Sequence, residues 1–217
     1  MTVRWISIRN EAVPPNDTWL GPVERAVQEK LTIAKRRSDW RLGRYAAKQL
    51  LAEWIGLQSL DRIQIIAAED GAPEVHVDER PIDVNVSLSH RQGLAVAALH
   101  EGGGRVGCDL ELIEPRTPRF IEDYFTALEC ECVSRTPAPL RDRHVALTWS
   151  GKESALKLLR TGLRRDTRSL EVEVAHPLAA GDSWSALKAR VHPEDRTLTG
   201  RWRQLDSWVL TIVTGTG

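Results

Sequence analysis

Two stretches of this 217-residue chain follow the same course: a helical segment carries a lysine and stops at a glycine, Lys48 to Gly56 and then Lys152 to Gly162, and several short strands follow. The stop is legible because glycine takes up left-handed backbone at little steric cost and so is common just past a helix end. A helix-then-strands order met twice predicts an α+β chain built as a pseudo-twofold duplication. Each lobe is expected to be a helix packed on a mainly antiparallel sheet, with a cleft between the two. The boundary is expected near residue 104, giving an N-terminal lobe over 1–104 and a C-terminal lobe over 105–217.

Within the first lobe, residues 3–9 alternate like a strand and the Pro14–Asp17 cluster ends it. A helical region is predicted from Pro22 to Trp54, with Trp40, Ala47, Leu51 and Trp54 on one stripe. On the opposite stripe Arg37, Arg41, Arg44 and Lys48 fall at i, i+4, i+7 and i+11, with no acid among them. Such a run is either a solvated face or a surface matched to phosphate oxygens. Short strands follow at Ile63–Ala67 and Glu74–Val77, then at Val84–His90 and Leu94–Leu99, and a triple-glycine turn at 102–104 leads into Val106–Leu112. The last three strands are expected to form one antiparallel meander.

That last strand carries two acids. With a two-residue alternation, Val106, Cys108, Leu110 and Leu112 face one side, and Gly107, Asp109 and Glu111 the other. Two carboxylates on one strand face repel each other unless a cation sits between them, and hard oxygen donors so placed suit Mg2+. A charged strand edge that discourages aggregation is the alternative. Further on, Thr126 and Glu129 read as a capping box, and a strong helix follows with Trp149, Lys152, Leu156, Leu159 and Leu163 on one face. Glu153 and Lys157 lie beside that face, open to reading as a capping box from Ser150 and a helical ion pair, or as chemistry. Strands are predicted at Leu170–Val174, Trp184–Val191, Thr199–Gln204 and Trp208–Val213.

Composition excludes some classes of function. Thirty basic residues balance thirty acidic ones, so nothing favours a nucleic-acid partner or an anionic membrane, and any anion site must be local. No apolar run approaches the roughly 18 residues of a membrane span, and the first residues lack a signal peptide's apolar core, so a cytoplasmic protein is expected. Cys108, Cys130 and Cys132 are too few, and too poorly spaced with histidine, for a disulfide framework or a zinc site.

Four segments together resemble the 4'-phosphopantetheinyl transferases, specifically the monomeric two-lobed (Sfp-type) class. GCDLE at Gly107–Glu111 fits that family's G-x-D-x-E, and WSGKESALK at Trp149–Lys157 fits W-[ST]-x-K-E-x-x-x-K. SLSH at Ser87–His90 and WRLGRYAAK at Trp40–Lys48 add weaker matches in the family's order. The resemblance implies transfer of the 4'-phosphopantetheine arm of coenzyme A to a serine of an apo acyl or peptidyl carrier protein, releasing adenosine 3',5'-bisphosphate. It implies Asp109, Glu111 and Glu153 as ligands of Mg2+, and Glu153 and Lys157 as the catalytic pair. Arg44, Lys48, Ser89 and His90 are implied as the coenzyme A site, and residues 116–132 as part of the carrier's docking surface. The implied protein is a monomer that uses neither nucleic acid nor membrane. Gly71-Ala72-Pro73 departs from the family's Gly-Lys-Pro, so one lysine contact to coenzyme A is missing. Other readings are a different Mg2+-dependent phosphotransferase, or a non-catalytic module that binds coenzyme A or the carrier.

Overall fold

Strand β1 (Val3–Arg9) opens the chain, followed by helices α1 (Pro22–Glu29) and α2 (Ala34–Ile55). Five strands come next: β2 (Ile63–Ala67), β3 (Pro73–Val77), β4 (Arg80–Pro81), β5 (Asn85–Arg91) and β6 (Leu94–His100). These belong to the first of two compact units in a computed structural model that describes residues 3–175 and 183–215; this unit ends at Val106 and the second runs Gly107–Gly215. The helical region expected from Pro22 to Trp54 consists of two helices, with the chain breaking helix between Lys30 and Ile33. The β-branched Thr32 and Ile33 at the break are stiff at χ1 and favour extended backbone. Gly56 caps α2 as expected, at φ 72°, and its N–H reaches Ala52 O.

Strands β1, β6 and β5 form one antiparallel sheet in that order, and β2, β3 and β4 form another. Every residue of the central strand β6 is buried. Helix α2 lies on this sheet and supplies Leu42, Ala46, Ala47, Leu50 and Leu51 to the core, where Ala95, Ala97 and Leu99 of β6 meet them. The meander expected from residue 84 to 112 is interrupted. Strands β5 and β6 pair with each other, but the next strand, β7 (Arg105–Leu112), joins the sheet of the second unit. Gly102 and Gly103 at φ 88° and 77° make the turn that lets it leave.

In the second unit β7 is followed by α3 (Pro118–Tyr124), α4 (Ala127–Arg135) and α5 (Ala138–Leu158). The last four strands are β8 (Leu170–Val174), β9 (Ser185–Val191), β10 (Arg196–Leu205) and β11 (Trp208–Gly215). The sheet order is β7-β11-β10-β9-β8, and its last three pairings are antiparallel. Helix α5 crosses it, burying Leu147, Ala155 and Leu156 among Leu187, Leu198, Val209 and Val213. Pro139 does not break this helix. It lies in the first turn, where its missing N–H had no partner to lose. Ser150 is therefore mid-helix, and the capping box read at Ser150–Glu153 does not form. No helix among the described residues is long and apolar enough to cross a membrane.

Each unit contains the same buried bracket. In the first, Glu24 near the start of α1 accepts from Gly21 N (3.1 Å) at Oε2 and from Ile65 N (3.0 Å) of β2 at Oε1, while Lys48 of α2 ion-pairs with its Oε2. In the second, Glu129 near the start of α4 accepts from Thr126 N (2.8 Å) at Oε2 and from Val172 N (2.7 Å) of β8 at Oε1, and Lys152 of α5 pairs with it at 2.8 Å. An aromatic ring just before each glutamate faces the lysine: Trp19 at 5.5 Å from Lys48 Nζ and Phe125 at 5.9 Å from Lys152 Nζ. Both lysines are fully enclosed. Burial pulls both ammonium groups below their ordinary pKa and the partner glutamate opposes it. Each bracket ties a short helix, a strand and the long helix together.

Candidate functional site

The second unit holds the acidic cluster. Gly107, Asp109 and Glu111 share the face of β7 turned toward α5, and the glycine makes that approach possible. A Cβ at residue 107 would overlap the Ser154 carbonyl oxygen and stand 2.8 Å from Leu158 N. The close approach brings Asp109, only 4% exposed, to the last turn of α5. There Lys157 Nζ donates to Asp109 Oδ1 at 2.8 Å and to Cys108 O at 3.0 Å. Ser150, freed from any capping role, donates to Asp109 O at 3.1 Å and lies 2.8 Å from Thr211 Oγ1.

Trp149, Glu153 and Lys157 recur every four residues and so form one stripe of α5. The indole of Trp149 donates to Glu111 Oε1 at 3.2 Å, and Arg116 donates to Glu111 Oε2 at 2.9 Å. Phe120 and Tyr124 of α3 pack edge-on against Trp149 at 5.1 Å, which fixes the indole and through it the carboxylate. Glu153 stands next along the stripe. Burial, and then the charge of Asp109, push its carboxyl above the usual range, against the pull of Lys157. Burial works against the charge of Lys157, but Asp109 and Glu153 among its neighbours outweigh it and hold the ammonium above its ordinary pKa.

Among the described residues no three His, Cys, Asp or Glu side chains are gathered as a ready-made metal cage. The donor set nevertheless fits Mg2+, which needs only one or two carboxylates and takes the rest of its shell from water and phosphate. Asp109 and Glu153 are near enough for one charge to raise the other's pKa, and a divalent cation between them would relieve that repulsion.

The first unit alters the expected basic stripe. Lys48 is 0% exposed and held by Glu24, so its ammonium serves the core rather than a surface ligand. Arg37 donates to Leu31 O at 2.9 Å, and Arg41 donates to Asn16 O at 3.1 Å and ion-pairs with Asp17. Those two residues fasten the loops before and between α1 and α2. Arg44 is half-buried with its guanidinium 5.2 Å from the Trp40 ring, and burial lowers its pKa while Glu24 opposes.

His90 is exposed near the end of β5 and lines a hollow of about 380 Å3 with Ile33, Lys35, Arg36, Asp39 and Trp40. Gly43 of α2 lies against it, where a Cβ would make ordinary contact with His90 Cδ2 at 3.5 Å. Ser89 is buried on the opposite face of β5, and the hollow does not include its side chain. Ala72 sits in the β2–β3 turn, its N–H held by Asp70 Oδ1 at 3.0 Å. Sequence reasoning missed Lys35 and Arg36, because no spacing sets them apart from the arginines beside them. It also missed Trp149 and Arg116 as the groups that hold Glu111, although Trp149 stands one turn before Glu153.

The profile described as the 4'-phosphopantetheinyl transferase superfamily matches residues 105–213, and that of the 4'-phosphopantetheinyl transferase N-terminal domain matches residues 24–100. No curated protein matches the chain. Similar solved structures include holo-ACP-synthase from Plasmodium yoelii, at 18% identity over 45% of this chain and 90% of that one, with a TM-score of 0.39. Another is Thermotoga maritima holo-[acyl-carrier-protein] synthase, at 23% identity over 55% of this chain and 71% of that one, with a TM-score of 0.36.

Proposed function

The chain belongs to the 4'-phosphopantetheinyl transferase superfamily, and from that premise we propose how its residues divide the work. It is an enzyme that uses coenzyme A to transfer the phosphopantetheinyl arm to an apo carrier protein. The acceptor is a serine hydroxyl. Its oxygen bonds to the phosphorus that bears the pantetheine arm, the bond from that phosphorus to the bridging oxygen of the pyrophosphate breaks, and the electron pair leaves with adenosine 3',5'-bisphosphate.

Glu153 takes the serine proton. Its raised carboxyl, beside Asp109 and half-buried, is a stronger base than an exposed glutamate. Lys157 stands one turn on and meets the negative charge that gathers on the transferring and leaving phosphates. Asp109 and Glu153 would hold Mg2+, and Glu111, which Trp149 and Arg116 keep in place, is the third ligand that the family resemblance implies. When bound, the metal draws charge off the pyrophosphate oxygens and steadies the leaving group. The coenzyme A phosphates are assigned to Arg44 and His90, with Lys35 and Arg36 lining the hollow beside His90. Lys48 leaves that set because it is enclosed with Glu24. In this reading the protein is cytoplasmic and acts as a monomer.

The observation that carries this reading is the single stripe of α5 on which Glu153 and Lys157 meet the Asp109 carboxylate of β7. Single-turnover transfer to an apo carrier at saturating coenzyme A and Mg2+ tests it. Glu153→Gln and Lys157→Ala are each expected to slow transfer on the order of 100-fold, the usual cost of losing a placed proton acceptor or charge partner. Wild-type rates in both variants would overturn the assignment.

A further inference from the structure

The chain leaves α5 through an arginine-rich knuckle that the reaction as derived above does not use. Arg160 takes a left-handed conformation at φ 57° and Gly162 follows at φ 50°, so the backbone turns sharply and a single 3-10 turn spans Gly162–Arg164. At its tip Leu163 is 65% exposed, more than any other large apolar side chain among the described residues. Residues 160–168 hold four arginines and one aspartate in a chain of zero net charge.

The loop is anchored on both sides. Arg165 clasps Glu194 at 2.9 and 2.8 Å and donates to His192 O at 2.6 Å in the β9–β10 turn. Thr167 donates to Tyr124 O at 2.9 Å and its own carbonyl accepts from the buried Lys152 at 2.9 Å. Arg164, which donates to Arg160 O at 3.0 Å, and Arg168, paired with Asp166 at 3.4 Å, are exposed on the same loop as Leu163. An apolar tip held out by a fixed, cation-rimmed loop fits a partner with an apolar spot ringed by acids. The segment first expected to dock the carrier is charged the other way. Residues 116–132 hold Arg116 and Arg119 against Glu122, Asp123 and Glu131, with Glu129 buried against Lys152.

We infer that Leu163, Arg164 and Arg168 form a docking surface for the apo carrier protein, engaging an acidic, apolar-centred face beside its acceptor serine. The inference rests on the transferase reading, and the placement supports it. Lys157 occupies the last turn of α5, six residues before Leu163, so a carrier held at the knuckle presents its serine at the same end of the helix as the catalytic pair.

The test uses the full chain and a fluorescently labelled acidic apo carrier, with binding read by anisotropy and transfer by mass spectrometry. Leu163→Asp and the double variant Arg164→Glu/Arg168→Glu are each expected to raise the carrier Kd and the carrier KM by about tenfold or more. The KM for coenzyme A and the turnover at saturating carrier should stay as in wild type. Added salt should weaken wild-type binding far more than binding by the double variant. Changing the carrier's acids beside its serine to lysine should restore binding to the double variant. If both variants bind and use the carrier like wild type while Arg119→Glu does not, the surface lies on α3 and the inference falls. If wild type binds the carrier through this knuckle but transfers nothing, the docking surface stands and the transferase reading falls.

Discussion

Lys48 shows how a single residue's meaning depends on what encloses it. In sequence it closes a cationic stripe, whereas in the fold its ammonium sits with Glu24 away from water. Removing one partner from a buried pair leaves the other charged and unsatisfied, which costs about 3–5 kcal/mol. Lys48→Met should therefore lower the urea midpoint strongly, and adding Glu24→Gln should return much of the loss, because no uncompensated charge then remains. A Lys48→Met protein with wild-type stability and a raised KM for coenzyme A would restore the phosphate role.

His144 makes a pH-dependent contribution. It is buried on α5 with Nδ1 2.7 Å from Thr136 Oγ1, and burial pushes its pKa below the ordinary 6.5. In the unfolded chain the imidazole takes a proton as pH drops through about 6.5, while the folded protein resists until lower pH. Below about pH 6.5 the unfolded state thus binds more protons and stability falls, by at most about 1.4 kcal/mol per pH unit for this one group. Urea midpoints at pH 7.5 and 5.5 should separate by less in His144→Asn than in wild type.

At the scale of elements, the site depends on how closely β7 lies on α5. Gly107 sets that distance, because a Cβ would meet backbone atoms of Ser154 and Leu158 that cannot rotate away. Gly107→Ala should cost on the order of 3 kcal/mol from overpacking and should also weaken Mg2+ binding measured calorimetrically, since Asp109 and Glu153 ride on the two displaced elements. Unchanged metal affinity in a destabilised Gly107→Ala would uncouple packing from the site. The face of β7 was legible from simple alternation, and the capping box at Thr126–Glu129 forms as read. The capping box read at Ser150–Glu153 does not form, because α5 already starts at Ala138 and Ser150 lies in its interior. In the folded chain it lies inside, bonded to Asp109 O and Thr211.

At the scale of the molecule, the two brackets serve separate cores, one around α2 and β6 and the other around α5 and the five-stranded sheet. Hydrogen exchange should resolve them. Lys48→Met is expected to speed exchange about tenfold or more in β2 and β6 with less change in β9 and β10, and Lys152→Met should do the reverse. Equal acceleration in both units from either variant would show one cooperative core instead. The sequence by itself determined the repeated helix-then-strands order, the alternating acidic strand, the α5 stripe carrying Glu153 and Lys157, and the family those motifs resemble. These are local regularities, set by the pitch of a helix and the pleat of a strand. Only the tertiary structure decided which charges are enclosed and which face a ligand. Lys48 and Lys152 lie opposite Glu24 and Glu129, residues 24 and 23 positions away in the chain, and β7 departs from the strands before it to join β11. Burial and pairing arise from contacts distant in sequence, and neither helical spacing nor composition encodes them.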